Sequence, residues 1–295
     1  MENILEIKNL SKEYKNFKLD NISFSLPRGY IMGFIGRNGA GKTTTIKLIM
    51  NLIKKDNGQI NIFGKDNIKF EREIKEKIGF VYDDCFYYEC LSIKDNAKIV
   101  SAFYKDWSFD VFNSYLKKFN LDEKQKIKEL SKGMKMKVAI SLALSHNAEF
   151  IIMDEPTAGL DPIVREELLE VFQELIQNEN IGILLSTHIT SDLEKIADYV
   201  TYIDNGKIVF SQEMDKIFEK YFIVKGHCNL LNEENKKLLQ GLRESSYGFE
   251  ALVDDKEKVE EIFKGKVVLE RPSLEDIMVF KNREKVGELW KEIKI

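Results

Sequence analysis

The sequence predicts an α/β fold, and three observations carry that prediction. Apolar runs of strand length, Tyr30 to Ile35, Phe150 to Met153 and Ile181 to Ser186, read as buried parallel strands. Each ends in residues that bear chemistry: Gly36-Arg37-Asn38-Gly39-Ala40-Gly41-Lys42-Thr43-Thr44, Asp154-Glu155, and Thr187-His188. Between the runs lie segments with helical spacing, among them Ile163 to Ile176, as a layered α/β architecture requires.

The chain opens with alternation. Ile4, Glu6 and Lys8, then Leu19 to Leu26, read as short strands with one buried face, joined by a polar turn at Lys15-Asn16. Tyr14 stands beside that turn, where an aromatic serves equally for packing or for stacking on a flat ligand. Pro27-Arg28-Gly29 marks the turn into the next strand. The glycine run that follows matches G-x-x-x-x-G-K-[ST], with a strand before it and Ile46-Lys47-Leu48-Ile49-Met50 starting a helix after it. That context makes a phosphate-binding loop: backbone N–H groups point inward, the helix dipole adds positive potential, Lys42 reaches the β- and γ-phosphates, and Thr43 ligates magnesium.

Asn57-Gly58 before Gln59 to Gly64 is a hairpin signal, which continues the antiparallel sheet. Ile78 to Tyr82 is a further strand ending at Asp83-Asp84, a pair that suits either a metal or a solvated turn. From about 85 to 149 the pattern turns helical, as in Ile93, Ala97, Val100 and Tyr104. Within this stretch Ser131 and Gly133 open a helix that runs through Ala143. They fit an ordinary N-cap, and they also fit a second anion site.

Asp154, at the end of a buried strand beside the loop, is placed to hold magnesium, and Glu155 to activate a water. Asp161 caps the next helix with Pro162 in its first position. His188 falls one strand along from Asp154-Glu155. Ile196 to Val209 reads as a hairpin around Asp204-Asn205-Gly206. Beyond about residue 215, Phe222 to Lys225, Phe249 to Val253 and Lys266 to Glu270 suggest a small α/β appendage, giving domains at 1–215 and 216–295.

Composition narrows the surroundings. With 43% hydrophobic and 32% charged residues and a net charge of −4, bulk electrostatics gives no reason to expect a nucleic-acid partner. Cys85, Cys90 and Cys228 make no disulfide framework or zinc spacing, so free thiols in the cytoplasm are expected. No apolar run approaches the roughly 18 residues of a spanning helix, so action at a membrane requires another chain.

Taken in order, these motifs resemble the ATPase subunit of an ABC transporter over roughly residues 1 to 215. Gly36 to Thr44 is similar to the Walker A loop, Ser131 to Met134 to the signature motif, Phe150 to Glu155 to Walker B, Gly159 to Asp161 to the D-loop, and His188 to the switch histidine. Tyr14 occupies the place of the adenine-stacking aromatic. The resemblance implies a P-loop NTPase (RecA-like) core with an antiparallel β subdomain and an inserted helical subdomain. It also implies ATP and Mg2+ as ligands and a head-to-tail homodimer or heterodimer whose sites pair Lys42 of one chain with Ser131 and Gly133 of another. The remaining implications are an integral membrane permease as partner, a position on the inner face of the membrane, and, from the layout and tail, kinship with drug, antibiotic or lipid exporters. Two motifs depart from the pattern. The signature reads Leu130-Ser131-Lys132-Gly133-Met134 rather than Leu-Ser-Gly-Gly-Gln, and Asp83 or Asp84 stands where the family has the Q-loop glutamine. Phe86, Tyr87 and Tyr88 are equally candidates for the partner groove or for core. A soluble ABC-type ATPase of DNA repair or translation and a non-hydrolysing ATP sensor are the rival readings.

Overall fold

The computed structural model describes residues 2–83 and 87–292, with side chains described as far as 283, and forms two compact units, Met1–Ser211 and Gln212–Ile295. Of the sequence expectations, those on Asp84, Cys85 and Phe86 lie outside the described residues.

In the first unit, β1 (Asn3–Tyr14) and β2 (Phe17–Pro27) form the expected hairpin with Tyr14 opposite Phe17. Alternation decides which face is buried: Leu19, Ile22, Phe24 and Leu26 of β2 point into the core while their neighbours do not. β4 (Asn57–Ile62) joins the other side of β1 antiparallel, and β5 (Lys65–Asp66) ends the sheet, in the order β2-β1-β4-β5. Asn57-Gly58, expected as the hairpin turn, instead begins β4. A Cβ at Gly58 would lie 2.4 Å from the Asn9 carbonyl oxygen, so this glycine admits the bulged stretch of β1, and the turn falls one strand later at Phe63-Gly64.

The second sheet runs β10-β9-β3-β8-β7-β6. Its parallel strands are β3 (Ile31–Ile35), β6 (Ile78–Val81), β7 (Phe150–Asp154), β8 (Gly182–Thr187) and β9 (Tyr199–Asp204), and β10 (Lys207–Glu213) follows the Asn205-Gly206 turn. Every residue of β3, β7 and β8 is buried, because the strands are covered on both faces. One apolar cluster, in which Phe24 stacks on Phe34 at 5.4 Å between centroids, joins the two sheets. Burying a side chain such as Phe34 contributes about 1.5–3 kcal/mol, which makes this shared core the anchor of the loop that follows β3.

Between β6 and β7 lie α3 (Ile93–Ser101), α4 (Phe109–Lys118) and α5 (Lys132–Leu144), while α1 (Lys42–Ile49) and the short α2 (Glu71–Lys75) precede them. Ser92 and Ser108 cap α3 and α4 through their hydroxyls. α6 (Pro162–Leu175) and α7 (Thr190–Ile196) follow β7 and β8. α7 packs so closely on β3 that a Cβ at Gly33 would meet Leu193 at 2.5 Å.

The second unit has its own four-stranded antiparallel sheet, β12-β13-β11-β14, made of β11 (Phe222–Gly226), β12 (Gln240–Ser245), β13 (Gly248–Val253) and β14 (Val268–Glu270). Its core unites Val224, Phe249, Ala251 and Val253 with Val259 and Phe263 of α9 (Lys256–Phe263). α8 (Met214–Lys220) opens the unit, and α10 (Leu274–Glu292) runs close to β12, where a Cβ at Gly241 would meet the Phe280 carbonyl oxygen at 2.4 Å.

Candidate functional site

The parallel strands β3 and β7 deliver their C-terminal ends to one cleft of about 650 Å³, lined by Asn16, Phe17, the loop residues Arg37 to Thr44 except Ala40, and Asp83, Asp154 and Glu155. The loop's shape follows from its glycines. Gly39 and Gly41 have φ of 81° and 115°, and a Cβ at Gly36 would stand 2.4 Å from the Ile203 carbonyl oxygen. Ala40 is buried and its carbonyl accepts from Gly206 N–H at 3.0 Å, which ties the loop to the β9–β10 turn. Gly41 precedes α1 without any side-chain cap, so the first N–H groups of α1 are left for a ligand. Thr44 lines the cleft from that first turn, and Asn38 from the loop.

Lys42 is 6% exposed, and its ammonium has two partners: it donates to the Gly36 carbonyl at 2.7 Å and pairs with Glu155 Oε1 at 3.3 Å. Glu155 Oε2 accepts from His188 Nδ1 at 2.7 Å and from the His188 backbone N–H at 3.2 Å. A carboxylate has no proton to give, so His188 carries its hydrogen on Nδ1. Lys42 at the start of α1, Glu155 after β7 and His188 after β8 thus form one chain of contacts. Glu155 itself has φ of 53°, a left-handed conformation that a residue with a Cβ rarely adopts, and its N–H is held by the Ser186 carbonyl at 2.8 Å.

Thr43 Oγ1 donates to Asp154 Oδ2 at 3.0 Å, whereas Asp154 Oδ1 is buried with no hydrogen-bond partner. Burial pushes the Asp154 carboxyl above the usual carboxylate range, and the neighbouring Glu155 charge pushes the same way. An orphaned carboxylate oxygen beside a threonine hydroxyl fits a hard divalent cation.

Other sequence candidates lie elsewhere. Tyr14 is 45% exposed under the Lys12 ammonium, and its cross-strand partner Phe17 is the aromatic that lines the cleft, a residue the sequence reading did not single out. Ser131 caps α5 by accepting from Met134 N–H at 3.2 Å. Gly133 is buried, and a Cβ there would come within 2.9 Å of Val164, so glycine lets α5 pack on α6. Asp161 caps α6 by accepting from the N–H groups of Ile163 and Val164 at 3.1 Å each, with Pro162 at the first position. Ser131, Gly133 and Asp161 do not line the cleft of their own chain. Asp83 does line it, and it is paired with Lys132.

A phosphate-binding loop on a parallel sheet, with a carboxylate pair at the end of a strand one removed from the loop's own, defines a P-loop NTPase. A family model described as ABC transporter matches residues 19–158. The chain is 37% identical over 214 residues to the bacitracin transport ATP-binding protein BcrA of Bacillus licheniformis, covering 71% of this chain and 69% of that one. It is 36% identical over 215 residues to the lantibiotic transport ATP-binding protein SrtF of Streptococcus pyogenes, covering 72% and 92%. Among solved structures, an ATP binding subunit of an ABC transporter superposes with a TM-score of 0.67 at 31% identity, over 73% of this chain and 92% of that one. A nucleotide-free ATP-binding cassette from an ABC transporter gives 0.61 at 26%, over 73% and 94%. The chain belongs to the ATP-binding subunits of ABC transporters, and it is an ATPase of that family.

Proposed function

We propose that this chain hydrolyses ATP in the Lys42–Glu155 cleft to drive export of an antibiotic or a similar amphiphile through a separate membrane permease. The observation that carries the reading is the chain of contacts from Lys42 through Glu155 to His188 beside the orphaned Asp154 oxygen. Lys42 and the first N–H groups of α1 bind the phosphates, with Gly36 to Thr44 wrapping them. Thr43 and Asp154 hold Mg2+, which supplies neutralisation of phosphate charge when bound. Glu155 orients the attacking water, and His188 fixes Glu155 and reaches toward the terminal phosphate. Phosphate oxygens compete with Glu155 for the Lys42 ammonium, so nucleotide entry loosens the hold on the Glu155 carboxylate.

Ser131, Gly133 and Asp161 stand apart from their own chain's cleft, which fits a role across an interface with a second copy or a related subunit. In such a pair ATP charge is satisfied only when both chains surround it, so binding favours closure and loss of the terminal phosphate favours opening. Tyr14 or its partner Phe17 receives the adenine. Residues 1–215 are the motor and the remainder an accessory domain. Among the described residues no helix is long and apolar enough to cross a membrane, in keeping with a chain that works on the inner membrane face beside its permease. Relatives named for bacitracin and lantibiotic transport support the class of cargo.

Affinity purification from detergent-solubilised membranes tests this reading. Recovery of a polytopic membrane protein is expected, with ATPase activity in the complex. Recovery of ribosomes or nucleic acid alone would sink it.

A further inference from the structure

Two of the residues that depart from the family pattern meet in space. Asp83 follows β6 and is one of the two residues, with Asp84, that stand where the family has its glutamine, and Lys132 is the first residue of α5 where the family has a glycine. Lys132 Nζ donates to Asp83 Oδ1 at 3.4 Å across 49 residues of sequence. The ammonium also lies beside the backbone before α6, where a Cβ at Gly159, which has φ of 69°, would stand in ordinary contact with the same Nζ at 3.4 Å.

Charge gives this contact a purpose. Asp83, Asp154 and Glu155 all line the cleft, and Lys42 is already committed to Glu155 and Gly36. A triphosphate entering the cleft adds several negative charges to three carboxylates. An unpaired carboxylate at Asp83 would oppose it, since like charges a few ångströms apart repel even at an effective dielectric near 20. A neutral glutamine poses no such difficulty.

We propose that Lys132 is a positioning residue for nucleotide binding, acting within its own chain: it neutralises Asp83 and turns that carboxylate away from the phosphates. The proposal rests on the ATP reading above. Both side chains are about half exposed, at 49% and 51%, so the pair adds little to folding, and its effect falls on the ligand.

A double-mutant cycle in Mg-ATP affinity tests it, using calorimetry and steady-state kinetics on the full chain as wild type, Lys132→Ala, Asp83→Asn, both together, and Lys132→Arg. Melting temperatures within about two degrees of one another confirm that all five fold. Lys132→Ala is expected to raise the Kd and KM for Mg-ATP about three- to ten-fold, with a smaller change in kcat. The double variant should return to the affinity of Asp83→Asn alone, and Lys132→Arg should bind as wild type does. If Lys132→Ala weakens binding equally with Asn at 83, Lys132 acts on the phosphates themselves and the proposal is overturned. Affinity unchanged in Lys132→Ala overturns it too. Failure of the wild type to bind Mg-ATP would remove the underlying ATP reading instead, so the two failures are distinguishable.

Discussion

Glu155→Gln separates the two tasks of the Lys42–Glu155 contact, because it keeps shape and removes charge. In the empty site the Lys42 ammonium lies 3.3 Å from Oε1, with lysine and glutamate side chains only 6% and 14% exposed. Hydrogen bonds to charged groups in such surroundings contribute about 1.5–3 kcal/mol net. Phosphate oxygens compete with Glu155 for the ammonium, and the Gly36 carbonyl retains part of its satisfaction. About 1–2 kcal/mol of competition is therefore relieved by glutamine, which corresponds to a Kd for Mg-ATP roughly five- to thirty-fold tighter. The same change removes the group proposed to orient and deprotonate water, a role worth about 10²- to 10⁴-fold in rate. Equilibrium binding and single-turnover hydrolysis on one preparation read both effects. The reasoning fails if the variant hydrolyses ATP within three-fold of wild type, or if it binds Mg-ATP more weakly.

Two further outcomes follow from burial. Asp154→Asn should abolish hydrolysis while raising the melting temperature of the nucleotide-free protein. Burial raises the Asp154 pKa, so its stabilising contribution is complete only below the unfolded carboxylate pKa and is lost as pH rises through the folded value; at neutral pH the buried charge is a burden that asparagine lifts. A lower melting temperature in the variant would contradict this. His146 is 2% exposed, stacked on Tyr104 at 3.7 Å between centroids and bonded through Nε2 to the Ile78 carbonyl at 3.0 Å. Burial lowers its pKa, so its contribution is present above the unfolded histidine pKa of about 6.5 and is lost as pH falls through the folded value. Urea unfolding between pH 8 and 5 should show a fall that is shallower in His146→Gln, and parallel curves would remove His146 as its source.

Much of this site was legible because its signals are local. The run from Ile31 to Lys42 fixes strand, turn and helix in sequence, and Asp161-Pro162 and Asn205-Gly206 do at their positions what cap and turn chemistry dictates. What escaped depends on distant neighbours. Asn57-Gly58 carries a turn signal, yet the close approach of Asn9 uses the glycine inside a strand, while the true turn places Phe63 at φ of 53°, a residue with no turn preference. β12 was missed because Gly241 and the polar residues around it hide the alternation. Phe17 enters the cleft only because β1 and β2 close as a hairpin beside the loop. The Lys42–Glu155 and Lys132–Asp83 contacts join residues that meet only when β3, β6, β7 and α5 are assembled.

Calorimetric titration of Mg-ATP into the wild type and Lys42→Ala asks most directly whether this cleft is the nucleotide site. Saturable binding at one site per chain is predicted for the wild type, with loss of that binding in the variant and no loss of fold by circular dichroism. Equal affinity and stoichiometry in the two proteins would place the nucleotide elsewhere and contradict the account.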